Sequence, residues 1–197
     1  AYTCGWPDCL VVSIDASGDG YCSLVAEKRC GRLRERERIG AFHSLGIFYL
    51  YATLLLGHKP GREGKLTGLA AHGDPAATAQ VFRSFCDYDP ERGFIRNSAR
   101  GYACDYAALK AALRGHKPQD IAAGVQRHFE QCITSYVRGH VRKSGLGRVA
   151  LAGGVFANVR VNQRVREMAE VEDIYVFPQM GDGGGAMLIE DLEHARA

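Results

Sequence analysis

Three segments join a buried apolar run to a glycine-rich turn that carries a carboxylate or an amide. They are Ile14-Asp15-Ala16-Ser17-Gly18-Asp19-Gly20, Leu151-Ala152-Gly153-Gly154-Val155-Phe156-Ala157-Asn158 and Gly181-Asp182-Gly183-Gly184-Gly185. Glycine lets the backbone approach an anion closely, and its amides, with the N-terminus of a following helix, favour phosphate. A carboxylate at the mouth of such a loop repels phosphate but can hold a divalent cation that bridges phosphates. Two Asp loops and a Gly-Gly turn therefore suggest a metal–nucleotide site. The same loops also serve elsewhere as ordinary strand-to-helix turns with capping residues. Asn158 and Asn162 are spaced to share one face of a helix, where both amides could meet a ligand or could simply cap and solvate it.

Two apparent motifs fail on spacing. Gly61-Arg62-Glu63-Gly64-Lys65-Leu66 is too short for a Walker A loop, and no hydroxyl residue follows its lysine. Gly181 to Ala186 fits a dinucleotide fingerprint formally, but that motif requires a further strand and an acidic residue about 20 positions on.

The elements that must position these loops follow from periodicity. Leu10 to Ile14 reads as a buried strand, with Ser23–Glu27 and Arg32–Arg38 as antiparallel neighbours around Arg29-Cys30-Gly31. Gly46 to Leu56 is apolar nearly all round and reads as a buried helix. Glu63 to Gly73 reads as loop, and Asp74-Pro75 opens a helix to Phe85. Residues 87–102 read as irregular. Ile121, Val125, Phe129, Ile133, Tyr136, Val137 and Val141 form one helical stripe that ends at Gly145. Val149–Leu151 and Ile174–Phe177 read as strands, with a helix from Ala157 to Met168 between them and another over Ala186–Glu193. Alternation of this kind is α/β architecture. Arg32, Arg34, Arg36 and Arg38 invite an RNA-binding reading, but the intervening Glu35 and Glu37 make a salt-bridged edge strand the better account.

Composition narrows the class. A formal charge of +3 over 197 residues gives no reason to expect nucleic acid as a partner, and no apolar run reaches the roughly 20 residues of a membrane span. Seven scattered cysteines without CxxC pairs suit a reducing compartment, so the cytoplasm is expected. The start at Ala1, close to an apolar run, is that expected of a piece of a longer protein.

Four ordered motifs carry a resemblance. His43-Ser44-Leu45-Gly46-Ile47-Phe48-Tyr49 with Thr53 and Leu56-Gly57 comes first, then Glu63-Gly64-Lys65-Leu66-Thr67-Gly68-Leu69-Ala70 with His72-Gly73. The Leu151–Asn158 segment with Asn162, and Gly181-Asp182 with Gly184 and Ala186, complete the order. Together they resemble the nodulation- and antibiotic-type O-carbamoyltransferases from end to end. The resemblance implies an actin-like, ribonuclease-H-like ATPase fold, here incomplete, with mixed sheets and flanking helices. Residues 1–45 are expected to be the strand-rich remainder of a first lobe. Residues 46–197 are expected to be a second lobe holding the Gly-Gly turn and the Gly-Asp loop.

The resemblance further implies that carbamoyl phosphate and ATP give a carbamoyl-adenylate, whose carbamoyl group passes to a hydroxyl of a small molecule or glycan. A divalent metal is implied, iron foremost, with magnesium or manganese compatible with the aspartates. By motif, Asp15 and Asp182 match metal ligands. Gly153, Gly154, Asn158 and Asn162 match the nucleotide turn, with Gly18 and Gly183 in the flanking loops. Glu63 and Lys65 match a segment near the nucleoside, although a lysine in a glycine-flanked loop is also commonly just solvated. No catalytic residue is singled out. The family's His-x-x-x-His and its smaller C-terminal domain are not among these residues, and little activity is expected of this piece alone. Ala16 and Leu188 stand where the family commonly has glycine. The alternatives are a hydrogenase-maturation-type carbamoyltransferase, or a nucleotide-binding module that turns nothing over.

Overall fold

Leu10, Val11 and Val12 are each at most 1% exposed, and consecutive apolar residues achieve that only in a strand covered on both faces. The computed structural model describes residues 1–96 and 102–178. In chain order its elements are β1 (Cys9–Gly18), β2 (Tyr21–Arg29), β3 (Arg32–Gly40), α1 (Leu45–Leu55), α2 (Glu63–Ala70) and α3 (Ala79–Phe85). There follow β4 (Cys86–Asp89), β5 (Gly93–Arg96), α4 (Tyr102–Ala112), α5 (Pro118–Ser144), β6 (Arg148–Ala152), α6 (Val159–Arg166) and β7 (Asp173–Val176).

The chain forms two compact units. One comprises Ala1–Gly46 with the stretch from Thr134 onward, and the other Ile47–Ile133. The first is built on a five-stranded mixed sheet of order β3-β2-β1-β6-β7. β1 pairs antiparallel with β2 and parallel with β6, and β6 pairs parallel with β7. The sheet thus sets strands from the first 45 residues beside strands from the last third of the chain. Both strand-to-strand turns around β2 are two-residue hairpins with left-handed backbone. Asp19 and Gly20 have φ of 51° and 83°, and Cys30 and Gly31 have 50° and 77°. That conformation matches the twist of antiparallel strands.

On one face of this sheet Cys9, Val11, Leu24, Ala26, Ala150 and Ala152 form a buried cluster, against which Trp6, Leu33 and Tyr175 pack. β3 lies at the edge. Its alternating arginines are exposed and its acids are held in ion pairs, as expected of a salt-bridged edge. Arg36 meets Glu27 at 2.7 Å, and Arg38 meets Glu35 at 2.6 Å. The C-terminal part of α5 anchors to the same strands through a buried polar chain. Tyr136 donates to Glu37 Oε1 at 2.8 Å and lies 3.0 Å from Ser23 Oγ, and His140 Nε2 lies 3.3 Å from the same Glu37 oxygen. The Tyr136 and Ser23 side chains belong to the buried set, so leaving either unpaired there would cost about 1–3 kcal/mol.

In the second unit, the residues of the expected α5 stripe that fall within it, Ile121, Val125, Phe129 and Ile133, are all buried. So are Gln126, His128, Glu130 and Cys132, which the apolar period does not single out. Tyr49 of α1 donates to Gln126 Oε1 at 2.7 Å, so it accepts from Thr67 of α2 at 2.9 Å. Gln126 then donates to Glu130 at 2.8 Å, completing a side-chain relay. Gly145, with φ 68° and its N–H on Val141 O at 2.9 Å, ends α5 in the left-handed manner usual for glycine.

Three local expectations are corrected. Residues 63–70, read as loop, form α2; Gly64, Thr67 and Gly68 hide the helix, and Leu66 is its one fully buried anchor. The stretch read as irregular contains the β4–β5 hairpin. There the Asp89 carboxylate accepts from the N–H groups of Glu91 and Arg92, both at 2.8 Å, and Gly93 takes φ 78°. Asp74 does cap its turn, accepting from Ala76 N at 2.9 Å, but a short 3-10 segment, Pro75–Ala77, precedes α3. No helix among the described residues is long and apolar enough to cross a membrane.

Candidate functional site

The parallel pairing of β1 with β6 brings Ser13 opposite Ala152, so both strands deliver their following residues to the same, carboxyl, end of the sheet. In open α/β sheets ligands bind outside that end. The residues delivered are Asp15 from β1 and Gly153-Gly154 from β6. Asp15 Oδ2 accepts the Gly154 N–H at 2.9 Å, and Oδ1 accepts the Ala16 N–H at 2.7 Å. Each carboxylate oxygen keeps a second lone pair, so the group can still ligate a cation while its orientation is fixed from two sides.

Gly153 is required by this approach, and Gly154 leaves room for the carboxylate. Gly153 has φ 93°, and a Cβ there would collide with the Ile14 carbonyl oxygen. A Cβ on Gly154 would lie 2.9 Å from Asp15 Oδ1. The chain then makes a 3-10 turn, Gly154–Ala157, before α6.

Asn158 stands at the N-cap of α6 rather than within it. Its Oδ1 accepts from Arg160 N at 3.2 Å and from Val161 N at 3.3 Å. Capping thus accounts for its oxygen. Asn162, one turn on, donates through Nδ2 to Phe156 O at 2.7 Å, which fixes the amide's orientation because a carbonyl can only accept. Its Oδ1 is buried and has no hydrogen-bond partner among the described residues. A buried acceptor in that state loses its water without replacement.

Two residues of the His43–Tyr49 motif support Asp15, and sequence reasoning assigned them no role. Ser44 Oγ donates to the Asp15 carbonyl at 3.3 Å. Gly46 at the start of α1 lies so close that a Cβ would sit 3.0 Å from Ala16 Cα and 3.1 Å from Asp15 O. The signal was a serine and a glycine two residues apart at a helix start, which gives no hint of what they touch.

The other expected residues are placed differently. Gly18 ends β1 beside the Asp19-Gly20 turn, is exposed, and has open space where a Cβ would be. Glu63 and Lys65 lie on α2, in the other compact unit. Glu63 Oε1 accepts the Gly61 N–H at 3.1 Å, and Lys65 is exposed. Asp182 and Gly183 lie outside the described residues.

Comparison with known proteins identifies the family and the fold. The family model for the carbamoyltransferase N-terminus matches residues 8–188. The nodulation protein NolNO of Sinorhizobium fredii is 27% identical over 187 residues, covering 93% of this chain and 28% of the relative. The nodulation protein NolO of Bradyrhizobium diazoefficiens is 28% identical over 199 residues, covering 98% and 36%. The chain therefore spans about a third of the length of these relatives. Among solved structures, component A of the Acidaminococcus fermentans (R)-2-hydroxyglutaryl-CoA dehydratase matches with TM-score 0.52 and 19% identity, over 100% of this chain and 66% of that one. This likeness concerns the fold, an actin-like ATPase fold with a mixed sheet and flanking helices. Because that family model matches residues 8–188, most of its length, the chain belongs to the carbamoyltransferase N-terminal family.

Proposed function

We propose that this chain forms the phosphate-and-metal end of an ATP-dependent O-carbamoyltransferase, in which carbamoyl phosphate and ATP give a carbamoyl-adenylate that carbamoylates a hydroxyl. The observation that carries the proposal is the Asp15 carboxylate clasped by the Gly154 amide just beyond the last parallel pair of β1 and β6. Adenylation transfers charge among phosphate oxygens, and a cation fixed beside backbone amides lowers that barrier most directly. Asp15 would hold the cation, and Asp182 is its expected counterpart by motif. A pair of carboxylates suits iron, magnesium or manganese alike. Asn162 Oδ1 is the natural acceptor for a hydroxyl or amino group of the nucleotide. The acceptor alcohol, a small molecule or a glycan, is proposed from the family alone.

The test is pyrophosphate release from ATP by the full-length protein that contains this chain. Release that depends on carbamoyl phosphate and on a divalent metal, and that falls at least about a hundredfold in Asp15→Asn, supports the reading. Release indifferent to carbamoyl phosphate removes it.

A further inference from the structure

A pair of thiols at the start of the chain takes no part in the function proposed above. Cys4 Sγ and Cys9 Sγ lie 4.0 Å apart, with four residues between them in sequence. Cys9 opens β1 and is fully buried, and its direct cross-strand partner on β2 is Lys28. Directly opposed residues share a face of the sheet, so the lysine stands beside the thiol. The Cys4 thiol donates to the Ala1 carbonyl oxygen at 2.9 Å, and Lys28 Nζ donates to that same oxygen at 3.2 Å. Two sulfurs and an ammonium thus meet around one carbonyl.

We propose that Cys4 and Cys9 form a peroxide-responsive dithiol that closes to a reversible disulfide. The two sulfurs divide the reaction by their exposure. Cys4 is half-buried and can meet an oxidant, and Lys28 sets a positive charge beside it, the setting of reactive cysteines. The Cys4 thiolate attacks one oxygen of hydrogen peroxide. The O–O bond breaks, the sulfur gives up two electrons and becomes a sulfenic acid, and the other oxygen leaves as water. Cys9 sulfur then attacks Cys4 sulfur. The S–O bond breaks, and the hydroxide leaves as water with the Cys9 proton. Two thiols and one hydrogen peroxide give one disulfide and two waters.

Burial gives Cys9 the second step. Burial, with the Cys4 thiol alongside, pushes the Cys9 thiol up to about 12, against the pull of the Lys28 charge. It therefore stays protonated and inert toward an oxidant by itself, and reacts only with a sulfur held next to it. A disulfide sets its sulfurs about 2 Å apart, so one must swing inward by about 2 Å. Cys4 precedes β1 and is not held in the sheet. Its neighbour Gly5 has φ 73° and open space around it, so the Cys4 side chain can supply the movement. The bond would close the segment that carries Trp6, Pro7 and Asp8. Pro7 O accepts the Gly31 N–H at 3.3 Å, and Asp8 Oδ1 accepts the Cys30 N–H at 2.6 Å. Trp6 meets Tyr175 of β7 edge-on, with ring centroids 6.4 Å apart. Closure would thus brace the β2–β3 hairpin and one face of the sheet together.

Differential thiol labelling, read by mass spectrometry on the reduced full-length protein that contains this chain, tests this. After hydrogen peroxide, Cys4 and Cys9 should be protected together, their peptide should have lost two hydrogens, and dithiothreitol should restore both thiols. Cys9→Ala should leave Cys4 as a sulfenic acid that dimedone traps, and Cys4→Ala should leave Cys9 reduced. Circular dichroism confirms that each variant is folded. The Cys30→Ser/Cys104→Ser double variant, which removes two exposed thiols, should close the same bond. Cys4 and Cys9 that both stay labelled in folded wild type, a bond from either to another cysteine, or Cys9 oxidised in folded Cys4→Ala would overturn the proposal.

Discussion

Gly154 donates its backbone N–H to Asp15 Oδ2 at 2.9 Å across 139 residues of sequence. The bond joins β1 and β6 just beyond their last parallel pair and fixes the direction of the Asp15 carboxylate, which is expected to hold a cation. It exists only because Gly153 takes a backbone conformation that brings β6 against the Ile14 carbonyl.

Gly153→Ala should therefore be among the most damaging small substitutions. Its Cβ would enter the Ile14 carbonyl while forcing alanine into the left-handed region, a cost of at least about 2 kcal/mol. Thermal unfolding checks this, and a melting temperature equal to wild type would show that the turn can relax.

Asn158→Ala separates capping from ligand binding. Loss of the α6 cap should lower stability by about 1 kcal/mol. Asn162→Ala removes one hydrogen bond to Phe156 O and also an unpartnered acceptor, so its stability cost should be smaller, while its loss of nucleotide affinity should be larger. Denaturant melts and nucleotide titrations on both variants give the two orders independently. If nucleotide affinity drops more in Asn158→Ala, the assignment of Asn162 is wrong.

Much of this arrangement was legible and some was not, for physical reasons. Leu10-Val11-Val12 could be read as a buried strand because burial on both faces leaves a continuous apolar signature. The α5 stripe could be read because its period is that of a helix. Gln126, His128, Glu130 and Cys132 could not be placed, since their burial depends on partners from α1, β4 and their own helix rather than on local pattern. α2 was hidden by its glycines, and the β4–β5 hairpin by strands only four residues long. Asp15 and Gly153-Gly154 could each be nominated from composition and motif. Their direct contact is a matter of strand order, which β1 and β6 do not advertise.

The Tyr136–Glu37–His140 cluster carries a pH dependence. The hydrogen bond from His140, with a second from Tyr136 and the charge of Lys143 nearby, holds the Glu37 carboxyl below its usual value near 4.5, against its own burial. A carboxylate depressed on folding stabilises above its unfolded pKa, and that stability is lost as pH falls through the folded one. Glu37→Gln should therefore be less stable at neutral pH and should lose less stability than wild type below about pH 4.5. Denaturant midpoints across that range check the sign. A steeper acid loss in the variant would reverse it.

Gly46→Ala tests the support beneath Asp15. The added methyl meets the Asp15 and Ala16 backbone at 3.0–3.1 Å, so one side must give, at a cost of about 1–3 kcal/mol. Metal-dependent nucleotide binding should weaken as well, because the displaced backbone carries the Asp15 carboxylate. Weaker stability with unchanged binding would confine Gly46 to packing.

The most direct measurement for the central claim is calorimetric titration of ATP, with and without a divalent metal, into the protein and its Asp15→Asn variant. Asn keeps the shape of the side chain and one oxygen for the Gly154 amide but removes the charge. Metal-dependent binding should fall at least about tenfold in the variant, with metal-free binding little changed. Equal metal-dependent affinity in the two proteins would contradict it.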